Sequence, residues 1–144
     1  MHSGVARHVV ELARALPADR FSVEVACPRE SLTWSSLEES GFRLHAIEAH
    51  REPRVSDARS LATLTRLAGE ADVLHVHSAK AGFLGRLAAS LRRKGKACVF
   101  SPHGWSWWAA DGAQARLYLG LERLAAPWCR TIVALSDDER EAGL

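Results

Sequence analysis

Two internal stretches and the opening of the chain hold the residues whose types and spacing can do chemistry. The first stretch is Ser101-Pro-His-Gly-Trp105, continued to Trp108. His103 directly follows an apolar run and precedes Gly104, so it is held close to a strand end. There it can act as an acid, a base or a hydrogen-bond donor to a sugar hydroxyl. Trp105, Trp107 and Trp108 place three indoles within four residues. They can stack on a sugar, line an apolar acceptor groove or dip into a membrane interface; local packing is the plainer alternative. The second stretch is His75-Val-His77-Ser78-Ala-Lys80-Ala-Gly82. Two histidines spaced by two on a strand face the same way. No third ligand of suitable spacing follows them, so a zinc site is not expected. Lys80 suits an anionic group near a helix start, or stands as an exposed lysine. At the opening, Ser3-Gly4 precedes a helical pattern, where backbone N–H groups favour anions and a plain serine cap is the alternative.

The segments around these residues alternate helical and extended periodicity, which predicts an α/β fold with a mostly parallel sheet. Val5, Val9, Leu12, Ala13 and Leu16 share a helix face that ends at Pro17. Phe21–Cys27 is a short strand closed by Pro28. A weaker helix covers Leu32 to Ser40 and stops at Gly41, and Phe42–Ile47 alternates as a second strand. Residues 48–56 form a loop, after which Ser56 or Asp57 caps a helix with Leu61, Leu64, Thr65 and Ala68 on its apolar face. Asp72–His77 is a strand of the fully buried kind, and Ser78 is placed to cap the next helix. That helix carries Phe83, Leu84, Leu87, Ala88 and Leu91, and Gly82 and Gly85 let it lie close against the sheet. Ala97–Ser101 is another buried strand. Leu117, Leu121, Leu124 and Ala125 mark one more helix, and Thr131–Leu135 the last strand. Ser136 to Glu139 spell a capping box.

Composition narrows the function classes. The chain has 144 residues and a formal charge of +2, too small a charge to argue for nucleic acid. Arg86, Arg92, Arg93, Lys94 and Lys96 gather into a basic cluster, expected to be a solvated helix end or a contact for an anionic membrane surface. No apolar run approaches the length of a membrane span, and the first fifteen residues are amphipathic and charged, unlike a secretory signal. The cytoplasm is the expected location, with possible inner-face membrane contact. Cys27, Cys98 and Cys129 lack metal-like spacing, and buried free thiols are expected in the strands.

Four motifs in order, over nearly the whole chain, carry a resemblance. They are Gly4-Val-Ala-Arg-His8 with Leu12-Ala-Arg-Ala-Leu16, Asp72-Val-Leu-His-Val-His-Ser78-Ala-Lys-Ala-Gly82, Ser101-Pro-His-Gly-Trp105 and Val133-Ala-Leu-Ser136. The chain resembles the amino-terminal, acceptor-side half of a GT-B glycosyltransferase of family 4. The resemblance implies a Rossmann-like three-layer sandwich, treated as one domain over 1–144. It also implies a partner domain that holds a nucleotide-sugar, and transfer with retention of anomeric configuration, without a metal or other cofactor. By position, Ser3 and Gly4 match the loop near the donor diphosphate, and His103 matches the histidine near the transferred sugar. His77, Lys80, Gly104 and Trp105 match cleft positions. Ser136 and Glu139 match the serine and the acidic residue that face the cleft after the last strand. The acceptor class left open by the resemblance includes lipid-linked sugars, small glycosides and natural-product aglycones.

The departures shape further expectations. The family's first, central strand and its glycine-rich turn have no counterpart before Gly4, so that strand is expected to be missing, with Met1 a late start. The strands matching Phe21–Cys27 and Asp72–His77 would flank it. The glutamate pair of the family belongs to the donor-binding half; Glu30 and Glu38 repeat its spacing by coincidence. The fragment is accordingly expected to be inactive alone. A non-catalytic module that binds acceptor or membrane surface is the alternative, and vesicle binding without nucleotide-sugar binding would favour it. A dinucleotide-binding domain is disfavoured because no Gly-x-Gly-x-x-Gly follows a strand.

Overall fold

The computed structural model describes residues 4–48, 50, 54–93 and 95–143, leaving the Lys96 side chain aside. Ser3 therefore lies outside the described residues. The chain divides into two compact units, Met1–Thr63 and Leu64–Leu144.

In the first unit, helix α1 (Gly4–Ala15) precedes strand β1 (Glu24–Cys27), helix α2 (Leu32–Glu38) and strand β2 (Arg43–Ala46). β1 and β2 pair in parallel from Glu24 opposite Arg43 to Cys27 opposite Ala46. The expected strand at Phe21 starts three residues late because its partner begins at Arg43, which leaves Phe21 to Val23 without a ladder. Glu24 bridges to both Arg43 and His45, at 3.2 and 2.6 Å. These partners, His45 foremost, hold its carboxyl below the usual range. Ser31 caps α2 by accepting the Trp34 N–H at 3.2 Å, and Arg14 of α1 reaches the α2 end at Ser36 and Ser40. Gly41, with φ +78°, makes the left-handed turn that ends α2.

Helix α3 (Asp57–Glu70) carries the chain into the second unit. There the order is β3 (Leu74–His77), α4 (Ala79–Leu91), β4 (Cys98–Ser101), α5 (Gly112–Ala125), β5 (Thr131–Ile132) and α6 (Asp137–Ala142). The three strands form one parallel sheet in the order β3-β4-β5. Parallel neighbours need helical crossovers, and α4 and α5 supply them. The fold is thus mixed α/β with a Rossmann-like layout, as the alternating periodicity predicts. Among the described residues β1 pairs only with β2, and β3 only with β4.

β3 and β5 are also markedly shorter than their apolar runs. β3 starts at Leu74 because β4 offers no ladder before Cys98, where a 3-10 turn (Gly95–Ala97) intervenes. β5 keeps only Thr131 and Ile132, though the Val133 N–H still donates to Phe100 at 2.8 Å. The core of this unit is Val76, Ala89, Cys98, Phe100 and Trp105. α4 approaches it closely: a side chain at Gly82 would collide with the Phe100 ring, and one at Gly85 with Val76. Both glycines therefore do what their spacing suggests.

Cys27 and Cys98 are buried free thiols, as expected, and Cys129 is half-buried. Burial, reinforced by nearby Cys129 and opposed by Arg86, pushes the Cys98 thiol up to about 11 from an ordinary 9.0. In the unfolded chain the thiol ionises first, so between these values the unfolded state binds fewer protons than the folded one. The Cys98 contribution to stability is intact below pH 9 and is lost as pH rises toward 11. Urea midpoints at pH 8 and pH 10 should therefore differ more for the natural chain than for Cys98→Ala.

Candidate functional site

The second unit gathers most of the chemistry-bearing residues at the carboxyl ends of β3 and β4, where ligands bind in open α/β sheets. His75 and His77 lie on one strand face with ring centroids 4.1 Å apart. The ladder sets His77 opposite Ser101, and the following loop folds His103 back over it. His77 Nδ1 and His103 Nε2 are 3.0 Å apart, and His75 Nε2 lies 2.9 Å from Ser101 Oγ. Each such contact needs one donor and one acceptor, so the histidines are tied into complementary tautomers.

The backbone around these rings is unusual. Ser78 and His103 are non-glycine residues with φ of 63° and 57°, and Gly104 follows with φ 93°. Such conformations cost about 1–3 kcal/mol each at non-glycine residues and persist only where neighbours enforce them. Ser78 therefore does not cap α4 through its side chain, contrary to expectation; its own N–H donates to Ser101 O at 3.0 Å instead. Lys80 sits half-buried in the first turn of α4.

The tryptophans part company. Trp105 is buried and stacks on Trp107 at 4.6 Å, with its indole N–H donating to Glu139 O at 2.6 Å. It also meets Phe100 edge-on at 6.2 Å. Trp108 alone is largely exposed. Gly104 is exposed, and its N–H donates to the Glu139 carboxylate. Ser136 caps α6 by accepting the Glu139 N–H at 3.1 Å, the first half of the expected capping box. The second half differs: the Glu139 carboxylate accepts from Leu135 N–H at 2.6 Å and from Gly104 rather than from the cap residue. In the first unit Gly4 opens α1, with open space around it.

One buried group escaped the sequence reading. Arg86, assigned there to a solvated basic cluster, is fully buried, while Arg92 and Arg93 are exposed. It pairs with Glu122 of α5 at 2.5 Å, donates to Gly82 O at 3.1 Å and lies 3.9 Å over the Phe100 ring. Ser106, beside the tryptophans, contacts the other Glu122 oxygen at 3.4 Å. The signal was available: Arg86 shares the helix face of Gly82, Gly85 and Ala89, which is the side turned to the sheet.

A parallel sheet with helical crossovers and a histidine-bearing loop at its strand ends is a Rossmann-like layout. Residues 3–142 match the glycosyl transferase 4-like domain, and the chain belongs to that family. It is a glycosyltransferase domain by family. It is also similar to the UDP-Gal:alpha-D-GlcNAc-diphosphoundecaprenol alpha-1,3-galactosyltransferase of Escherichia coli. Identity is 28% over 144 aligned positions, covering 96% of this chain. The chain spans 37% of the length of that relative.

Proposed function

We propose that this chain is the acceptor-side half of a retaining glycosyltransferase that moves a sugar from a nucleotide-sugar to a sugar carried on a lipid diphosphate. The observation that carries the reading is His103, fixed by His77 on a strained loop at the end of β4. The family and the named acceptor of the E. coli relative support the substrate classes. His103 would contact the transferred sugar, donating a hydrogen bond as charge builds in the transition state. Lys80, Gly104 and the exposed Trp108, in place of the buried Trp105, would border the acceptor. A second domain would supply the nucleotide pocket, and no resident metal takes part.

Two assays test this. The 144-residue chain alone should give no turnover. Joined to a donor-binding half, it should transfer labelled sugar to a polyprenyl-diphosphate N-acetylglucosamine with the anomeric configuration kept and EDTA without effect. Transfer by the chain alone, an inverted product or EDTA sensitivity would overturn the corresponding part.

Contact with an anionic membrane fits one further observation. α5 exposes Leu117, Leu121 and Leu124 along one stripe, with exposed Arg116 and Arg123 beside it. Its sole acidic residue, Glu122, is drawn inward to Arg86, so the outer face is apolar and cationic. Such a face suits an anionic lipid surface. No helix among the described residues is long and apolar enough to cross a membrane. Sedimentation with phosphatidylglycerol vesicles should capture the protein, and Leu117→Glu with Leu121→Glu should release it. Equal recovery of both proteins would remove the reading.

A further inference from the structure

We infer that Glu139 is a positioning residue: its buried carboxylate sets the left-handed backbone of the His103–Gly104 loop and so aims the His103 ring. Glu139 is 3% exposed and lies in α6, 35 residues along the chain from Gly104. One carboxylate oxygen accepts from Gly104 N–H, the other from Leu135 N–H at 2.6 Å, and its backbone oxygen accepts from the Trp105 indole. Two hydrogen bonds accepted by Glu139 thus join the β4 loop to α6, and the third ties its carboxylate to the turn before α6. The ring of Trp105 also lies so close to Gly143, the α6 cap, that no side chain fits there. α6 and the β4 loop are therefore seated on each other at both ends.

This arrangement accounts for the strain. Two successive residues with positive φ, one of them a histidine, turn the Gly104 N–H inward toward α6. In an extended backbone at His103 that N–H would point elsewhere, leaving a buried carboxylate oxygen without its donor, which is costly. The same turn carries the His103 ring to His77. Glu139 and His77 thus hold the loop from its two sides, one by backbone and one by ring. Sequence pattern assigns Glu139 to a capping box or, by resemblance, to the cleft; the geometry gives it a different task. Its consequence for sugar transfer rests on the proposed role of His103, whereas its structural part does not.

The test uses amide and imidazole NMR of the 144-residue chain with Glu139→Gln, which keeps one acceptor and sets an NH2 group against the other N–H. In the natural chain the Gly104 amide proton should be downfield and protected from exchange. In the variant its exchange should speed by about tenfold or more. The His103 ring signals should shift, while Trp107 and the sheet amides stay in place. Unchanged Gly104 exchange and unchanged His103 signals would overturn the inference. If the variant does not fold, the natural chain still decides, because a Gly104 amide exchanging like an exposed loop amide contradicts the carboxylate contact. Transfer is then measured in the protein joined to a donor-binding half. A fall in kcat at near-constant KM supports both readings. Shifted His103 signals with unaltered transfer keep the positioning role and sink the assignment of His103 to the chemistry.

Discussion

Arg86→Met should destabilise the fold by about 3–5 kcal/mol, the usual range when one partner of a buried ion pair is removed. The reason is what remains. Glu122 would stay in the interior with the long 3.4 Å contact from Ser106, while the Gly82 carbonyl loses its side-chain donor and Phe100 its cation. Glu122→Gln should be milder, because the amide oxygen still accepts from the guanidinium. The double variant Arg86→Met with Glu122→Met removes both charges and should recover much of the loss. Equilibrium urea unfolding measures all three. A cost below about 1 kcal/mol for Arg86→Met, as for exposed pairs, would show that water reaches the site. Since Ser106 belongs to the tryptophan turn, the pair also braces the wall beside the histidine loop.

The second large effect concerns the chemistry. Replacing His103 removes the ring but also touches a strained backbone, so the choice of variant matters. Asparagine tolerates positive φ better than alanine, and His103→Asn should change stability by no more than about 1 kcal/mol. Transfer should nevertheless fall by about 100- to 1000-fold in kcat, the range for losing a positioned proton donor or a charge-stabilising hydrogen bond. KM for the acceptor should move little, because the interaction strengthens only as the sugar is transferred. His77→Ala keeps the His103 ring and removes its contact with His77, so its loss should be smaller, near tenfold. A reversed order of the two variants would assign the chemistry to His77.

Much of the fold was legible in the sequence because its signals are local. Apolar periodicity located α1 to α5 and the five strands among the described residues, the capping box located α6, and Pro17, Gly41 and Pro102 marked breaks, whereas the three 3-10 turns carried no such signal. Strand lengths were less legible, since a strand lasts only as long as its neighbour offers a ladder. Val73 and Leu135 are apolar yet exposed for that reason. The candidate site was legible as far as residue identity goes: His77 and His103 are adjacent in space, 26 residues apart in sequence. What stayed hidden were the contacts made by charged residues over long separations. Arg86 looked like a surface cation until its partner, 36 residues on, drew it inside. Glu139 looked like a helix cap because the spacing to Ser136 is right, and half of that cap forms. Its carboxylate goes instead to a loop that no local pattern could connect to it. The positive φ at Ser78 and His103 was equally unreadable, since neither residue type demands it.

The proposed function places the chemistry on the loop after β4. The most direct measurement is the rate of labelled-sugar transfer from nucleotide-sugar to a lipid-diphosphate acceptor, comparing the natural chain with His103→Asn, each joined to the same donor-binding half. A loss of about two orders of magnitude in kcat, with urea stability and acceptor KM nearly unchanged, is the predicted result. Equal rates for the two proteins would contradict the placement of the chemistry at His103.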